Sequence, residues 1–307
     1  MRRVVFLLMP GVHLLDLAGP AQVFSTADEV GHAYAMDYVA ERADVPTAQG
    51  VTLRASTTWP GLGPADLVLV PGWKWHGPAE PPAWVSADQA RRLAAHHAAG
   101  GAVASVCAGA FALGTAGLLD GRRCTTHHEL QDRLDARFPN ASVVRDVLYV
   151  TDGRVATSAG IASGIDLALH LVATDHGPAA AAQVARNMVV YARRNGHDQQ
   201  VSAMLRYRSH MSDTAHRAQD IIDARYTATL RLGDLASACG VSERTLTRRF
   251  TDATGTTPLR YQHMLRVERA EHLIAHGATV DSAARAVGFQ DPRMLRRLRA
   301  RRAAPAS

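Results

Sequence analysis

The sequence predicts an α/β domain with a mainly parallel sheet, followed by an all-α domain. Three observations predict it. Over the first two thirds of the chain, short apolar runs alternate with helix-patterned segments, punctuated by Gly and Pro. In the last third the strand-like runs cease, and a short helix pair joined by a Gly-containing turn occurs twice. Charge divides at the same place. Residues 1–200 carry 16 Lys and Arg against 18 Asp and Glu, a balance of −2, whereas residues 201–307 carry 18 Arg against 10, a balance of +8. A nearly neutral domain joined to a basic one fits one half for a small ligand and one for a polyanion. A preference for Arg over Lys (Lys74 is the only lysine) accounts for the high pI but not for this asymmetry.

The 307 residues suffice for two separate cores, and a hydrophobic content of 47% excludes a disordered chain. The expected boundaries are a first domain over 1–192, a polar linker over 193–212 and a second domain over 213–307.

In chain order, residues 3–9 form a Val-, Phe- and Leu-rich run closed by Pro10-Gly11, which reads as a buried parallel strand. The stretch HLLDLAGPAQVFSTADEV places Asp16 on a loop and enters a helix at Pro20. Strand-like runs recur at 36–40 and 51–55, and the clearest is DLVLVPG at 66–72. SADQARRLAAHHAAGG is an amphipathic helix with Gly stops. AVASVC at 102–107 is the next strand, and the helix AGAFALGTAGLL starts at once. DVLYVTDGRVATSAG is a hairpin turning at Asp152-Gly153. Two helices follow, ASGIDLALHLVATDHG and PAAAAQVARNMVVYARRNG.

The three cysteines, Cys107, Cys124 and Cys239, have no C-x-x-C spacing, and their odd number fits a reducing cytoplasm. The initial run VVFLLMP is too short for a signal peptide, and no segment approaches the ~20 apolar residues of a membrane helix. A cytoplasmic protein with no membrane partner is expected.

The tail is the most informative stretch. In LGDLASACGVSERTLTRRFTDATGTTP, residues 232–258, Leu232, Leu235 and Ala236 are apolar at helical spacing, Gly240-Val241 turns, and Ser242 is a good N-cap. The next helix hides Leu246 and Phe250 and leaves Arg244, Thr247 and Arg248 on its other face. This is a helix-turn-helix with a recognition helix. A longer helix follows, LRYQHMLRVERAEHLIAHG, with Leu259, Leu265, Ala270, Leu273 and Ile274 as its inner face. TVDSAARAVGFQDPRMLRRLRARR then repeats the design. Thr279 is the N-cap, Val280, Ala284 and Val287 point inward, and Gly288-Phe289 turns. The expected partner is double-stranded DNA. Arg244, Thr247 and Arg248 read it in the first unit, and Arg293, Arg296 and Arg297 occupy the corresponding places in the second. Some of these arginines contact phosphate and carry no sequence information.

LASACGVSERTLTRRF, GTTPLRYQHMLRVERA and AVGF together resemble the AraC/XylS family of transcription regulators, over about residues 213–302. Members of that family place an aromatic in the last recognition helix where Arg299 stands here. A charge is not buried cheaply, so the last helix is expected to be partly exposed and frayed.

In the first domain the candidate site is Ser105-Val-Cys107-Ala-Gly109, at the passage from strand to helix. A sharp strand-to-helix turn presents a nucleophile at the carboxyl end of the sheet. The helix N-terminus is expected to lower the Cys107 pKa and make it the most reactive of the three thiols. The N–H groups of Ala108 and of Gly72-Trp73 are candidate oxyanion donors. Asp16, Gly72 and Cys107, all at carboxyl ends of parallel strands, are expected to converge. The expected ligand pocket is lined by Asp16, Gly72, Trp73, Cys107, Ala108 and His127. His96-His97 and His127-His128 lack metal-site spacing, so neither a metal nor a cofactor is expected.

PGVHLLDLAGPAQVF, LVPG, ASVCAGAFALGTAGLLDGRRCTTHHE and VATSAGIASGIDLALHL resemble the PfpI/ThiJ branch of the class I glutamine amidotransferase-like superfamily, over about residues 3–190. The resemblance implies a flavodoxin-like fold with a cysteine elbow. With the AraC-type tail, the whole chain resembles the GlxA-type transcriptional regulators, in which the amidotransferase-like domain is taken to be a sensor. The implied function is a ligand-responsive regulator, homodimeric through its first domain and responding to a small-molecule effector. Amino acids and quaternary amines are the effector classes the resemblance implies. The rival is a Cys-dependent hydratase or amidase using Cys107 and Asp16. Peptidase-like relatives place His after the cysteine and isonitrile hydratase relatives place Thr there, whereas this chain has Ala108.

Overall fold

Strand β1 (Arg2–Leu7) opens on two arginines, and its apolar run from Val4 continues to Met9. Val4, Phe6 and Leu8 enter one hydrophobic cluster, and Val5, Leu7 and Met9 enter another, so both faces of the strand are covered. The structure, a computed structural model, describes residues 1–74, 85–190, 194–198, 200, 207–208, 210–275 and 277–303. The chain divides into two compact units, Met1–Gln200 and Val201–Ser307. Much of the stretch expected as linker, 193–212, lies outside the described residues.

In the first unit β1 is followed by α1 (Leu14–Glu29), β2 (Tyr34–Val39), a small antiparallel hairpin of β3 (Asp44–Pro46) and β4 (Thr52–Arg54), β5 (Leu67–Val70), α2 (Ala87–Ala98), β6 (Ala102–Val106) and α3 (Gly109–Thr115). Next come β7 (Arg123–Cys124), α4 (Gln131–Arg137), β8 (Ser142–Val143), β9 (Tyr149–Asp152), β10 (Val155–Ser158), α5 (Ser163–His176) and α6 (Pro178–Asn187). The main sheet runs β2-β1-β5-β6-β10-β9, parallel except for the terminal β10–β9 pair. That pair is the expected hairpin at Asp152-Gly153. The first cluster lies under α1, α5 and α6, and the second under α2 and α3.

Two local expectations change. The run at 51–55 stays out of the main sheet: β4 pairs with β3, and isolated bridges at Thr47 and Ser56 tie the hairpin's ends to Val12 and to Val39 of β2. The first helix begins at Leu14, six residues before Pro20, so Asp16 lies in its first turn and not on a loop. Pro20 sits inside the helix and packs against Gly164 of α5. Its missing N–H leaves the Asp16 carbonyl without its usual helical donor.

The second unit contains α7 (Asp213–Ala224), α8 (Leu232–Ala238), α9 (Glu243–Thr254), α10 (Pro258–Ala275), α11 (Val280–Ala286) and α12 (Pro292–Ala303). The expected caps form: the Ser242 hydroxyl accepts from the N–H of Thr245, and the Thr279 hydroxyl from that of Ser282, at 3.3 and 3.2 Å. One core gathers α7, α8, α9 and the start of α10, with Leu235, Leu246, Phe250 and Tyr261. The other gathers the end of α10 with α11 and α12, through Ala284, Val287, Phe289 and Leu295. Leu259 is 59% exposed and leaves the expected inner face of α10, which Tyr261 takes over. The last helix is partly exposed, as expected, and α12 runs as helix to Ala303. Leu295 is buried, Met294 and Leu298 pack beside it, and Arg299 is a half-exposed residue paired with Glu271 at 3.8 Å.

Candidate functional site

Cys107 sits between β6 and α3 with φ +54°, a strained backbone for a residue with a side chain. The strain is held from three sides. The Cys107 N–H donates to Ser158 on β10 at 2.9 Å. Its carbonyl accepts from the Thr126 hydroxyl at 2.7 Å. Gly160 lies so close that a Cβ there would stand 2.3 Å from the Cys107 Cβ. Gly72, after β5, is equally tight. A Cβ on it would lie 2.3 Å from Asp16 Oδ2, 2.7 Å from Cys107 Cβ and 3.1 Å from the nitrogen of Ala108. The structure therefore brings Asp16, Gly72, Cys107 and Ala108 together. Neither Gly160 nor Thr126 was singled out in the sequence. A glycine closing the run VATSAG and the paired threonines of CTTHH were the only signals.

Asp16 is fully buried, and neither of its oxygens makes a well-formed hydrogen bond. Burial pushes its pKa up to about 7, against the milder opposing pull of the nearby Cys107 thiol and Gly72 amide. Cys107 is 8% exposed. Burial, then the charge of Asp16, pushes its thiol up to about 12. The direction is opposite to that of the expected activated cysteine. The Ala108 N–H favours the thiolate, but it is outweighed by burial and a neighbouring carboxylate. Burial likewise raises Cys124, to about 11.

The two other expected pocket residues each follow a residue that touches Cys107, Trp73 after Gly72 and His127 after Thr126. Trp73 is buried in the second hydrophobic cluster, and its backbone bridges that of Val12. His127 caps a short 3-10 turn, its Nδ1 accepting from the N–H of Glu129 at 3.4 Å and its ring lying 4.3 Å from that of His128, tilted by 32°. Burial lowers its pKa, and the nearby charges of His128 and His13 add to that. Among the described residues no cluster of His, Cys, Asp and Glu has the arrangement of a metal site. No described helix is long and apolar enough to cross a membrane.

In the second unit Leu246 and Phe250 are fully buried, while Arg244 and Arg248 are exposed one turn apart on the opposite face of α9, with Thr247 half-buried between them. Leu232, Glu243, Thr251 and Asp252 complete that shallow surface. Arg249 turns away and donates to the Thr214 hydroxyl at 3.0 Å. On α12, Arg293, Arg296 and Arg297 are all exposed. Arg296 is paired with Asp281 at 2.6 Å, and Arg297 reaches the Met294 sulfur at 3.0 Å.

Residues 2–174 match the model of the DJ-1/PfpI family, more than half of the chain. The chain belongs to the DJ-1/PfpI family. Behind that domain, residues 235–304 match a helix-turn-helix domain model. Full-length relatives share the fusion. The chain is 30% identical to the HTH-type transcriptional regulator CdhR of Pseudomonas aeruginosa, over 98% of this chain and 89% of that one. It is 30% identical to the HTH-type transcriptional regulator GlxA of Rhizobium meliloti, over 81% and 78%. The DJ-1/PfpI part alone is 36% identical to the isonitrile hydratase of Pseudomonas putida, over 55% of this chain and 70% of the hydratase. The chain is thus a fusion of a sensor-like DJ-1/PfpI domain with an AraC-type helix-turn-helix DNA-binding domain.

Proposed function

We propose that the protein is a cytoplasmic, homodimeric transcription regulator that binds a small metabolite beside Asp16 and Cys107. It reads DNA with Arg244, Thr247 and Arg248 of α9 and with Arg293, Arg296 and Arg297 of α12. One observation carries the reading. The elbow keeps its strained geometry, but its thiol is buried and its pKa is pushed up to about 12, while α9 presents Arg244 and Arg248 one turn apart on an exposed face. A catalytic cysteine has to reach its thiolate, or hold a base within hydrogen-bond reach. Here burial and the charge of Asp16 oppose the thiolate, so the first route is closed; Asp16 itself stands where a base would have to be. The carboxyl of Asp16, which makes no well-formed hydrogen bond, also suits a ligand that offers it a donor. The likeness to an isonitrile hydratase keeps a second reading in view, because Asp16 and Cys107 do stand side by side.

The test is binding of the full chain to duplex DNA from its own promoter region across a salt series. Affinity falling steeply with salt is expected, because each phosphate contact releases counterions. No binding to duplex DNA would remove the regulator reading. A thermal-shift screen of metabolites would identify the effector, since a ligand of the native state raises the melting temperature.

A further inference from the structure

Arg266, on α10, is 7% exposed. An arginine so buried is normally paired with a carboxylate. Among the described residues no carboxylate pairs with it, and its acceptors are three backbone carbonyls. Its Nε donates to Tyr226 at 2.6 Å, and its two terminal nitrogens donate to Ala228 at 2.8 Å and to Gly288 at 2.9 Å. The guanidinium lies 5.4 Å from the centre of the Phe289 ring.

These acceptors belong to different halves of the unit. Tyr226 and Ala228 lie in the loop that leads into α8, the start of the first helix-turn-helix. Gly288 is the turn of the second. One turn earlier on α10, Gln262 donates to the same Tyr226 and Ala228 carbonyls, at 2.9 and 2.8 Å, but not to Gly288. Gln262 therefore fastens one half and Arg266 fastens both. The two turns also touch: a Cβ on Gly288, whose φ is +89°, would lie 2.0 Å from the carbonyl oxygen of Thr227. An apolar residue of Arg266's size would fill the same space without the cost of a buried charge. What the planar fork adds is direction, because its donors are fixed relative to one another.

We propose that Arg266 is a positioning residue for DNA reading. It locks the two helix-turn-helix units at one separation and angle, so that α9 and α12 accept only DNA segments with one fixed spacing. This rests on the reading that both recognition helices enter DNA.

The experiment uses the full chain and duplexes selected from a random pool by the wild-type protein. Failure to select any duplex removes the DNA reading itself, before Arg266 is involved. With selected duplexes in hand, one base pair is inserted between the two protected segments, which moves the second by roughly 3.4 Å along the axis. The wild type should lose about tenfold or more in affinity, the discrimination expected when one set of base contacts is misplaced. Arg266→Lys and Arg266→Met should keep binding the selected duplex but lose less than about threefold on insertion. Gln262→Leu removes two bonds from the first half only, and it should keep the full wild-type penalty. A purely structural role predicts a different pattern: lower melting temperature, weaker binding at every spacing and an unchanged insertion penalty. That pattern would overturn the proposal. If both Arg266 variants fail to fold, Gly288→Ala decides. It pushes the second turn off Thr227 with Arg266 intact, and it must show the same tolerance of insertion or the proposal falls.

Discussion

The hydroxyl of Thr126 holds the carbonyl of Cys107 at 2.7 Å, and Thr126's own carbonyl accepts from the side chain of Gln200 at 3.0 Å. Gln200 is the last residue of the first unit, and Val201 opens the second. Gln200 is further held by Val147 and Asp146, and Gly196 by Leu148. The strained elbow and the chain that leaves the domain thus share one residue. Thr126→Val keeps the shape of the side chain and removes the donor. The expected cost is about 1 kcal/mol, one net hydrogen bond, together with faster amide exchange over 194–200. Unchanged exchange there would show that Thr126 holds the elbow alone.

Cys107→Ala separates sensor from enzyme. In a sensor it removes one small contact, so effector affinity should shift by about 1–2 kcal/mol at most and DNA binding should persist. In a hydratase it removes the covalent step and nearly all turnover. The same thiol should alkylate slowly. A pKa pushed from 9.0 to about 12 lowers the thiolate fraction at neutral pH roughly a thousandfold. Mass-resolved iodoacetamide labelling should therefore show no head start for Cys107 over Cys124. Rapid, selective labelling of Cys107 would restore the activated-nucleophile reading.

What was legible in the sequence was what local chemistry writes. Ser242 and Thr279 announce their caps, Asp152-Gly153 its hairpin, and the apolar run from Val4 to Met9 its burial on both faces. The elbow was legible because small residues must flank it. Asp16 was misplaced because α1 begins after His13 with no side-chain cap, while Pro20 resembles a first-turn proline. Gly160 and Thr126 meet Cys107 only through the fold, across 53 and 19 residues of chain. Arg266 reads as a surface charge in any helical pattern, since nothing local reveals that three carbonyls await it. The Cys107 pKa was predicted with the wrong sign because the sequence shows the helix start but not the burial that outweighs it.

Arg248 should contribute to recognition more than Arg296. Both are exposed, but Arg296 is held by Asp281, whereas Arg248 shares the open face of α9 with Arg244. If Arg248 contacts a base, Arg248→Ala should cost roughly 1–3 kcal/mol on the preferred duplex and relax one base position. Arg296→Ala should cost less and reduce mainly the salt slope, by about one. Competition binding on single-base variants of the duplex checks both. A uniform loss for Arg248→Ala across all sequences would demote it to a phosphate contact.

Asp16 should make the protein less stable as pH rises. Its carboxyl is raised from 3.8 to about 7 in the folded state, so between those values the folded chain holds a proton that the unfolded chain has released. Stability from this group is fully present below about pH 3.8, falls through the window to pH 7 and levels off above it. The size follows from the shift, at about 1.4 kcal/mol per unit, and is on the order of 4 kcal/mol as an upper bound. Asp16→Asn has nearly the same shape and never ionises. It should be neutral at pH 4 and stabilising by about 2–4 kcal/mol at pH 8. Urea unfolding at the two pH values measures this directly. With Asp16 proposed to bind the effector, the stabilised variant should also lose its effector response. An Asp16→Asn protein that is no more stable at pH 8 than wild type would show that the carboxylate already has a partner, and the ligand role assigned to it here would be withdrawn.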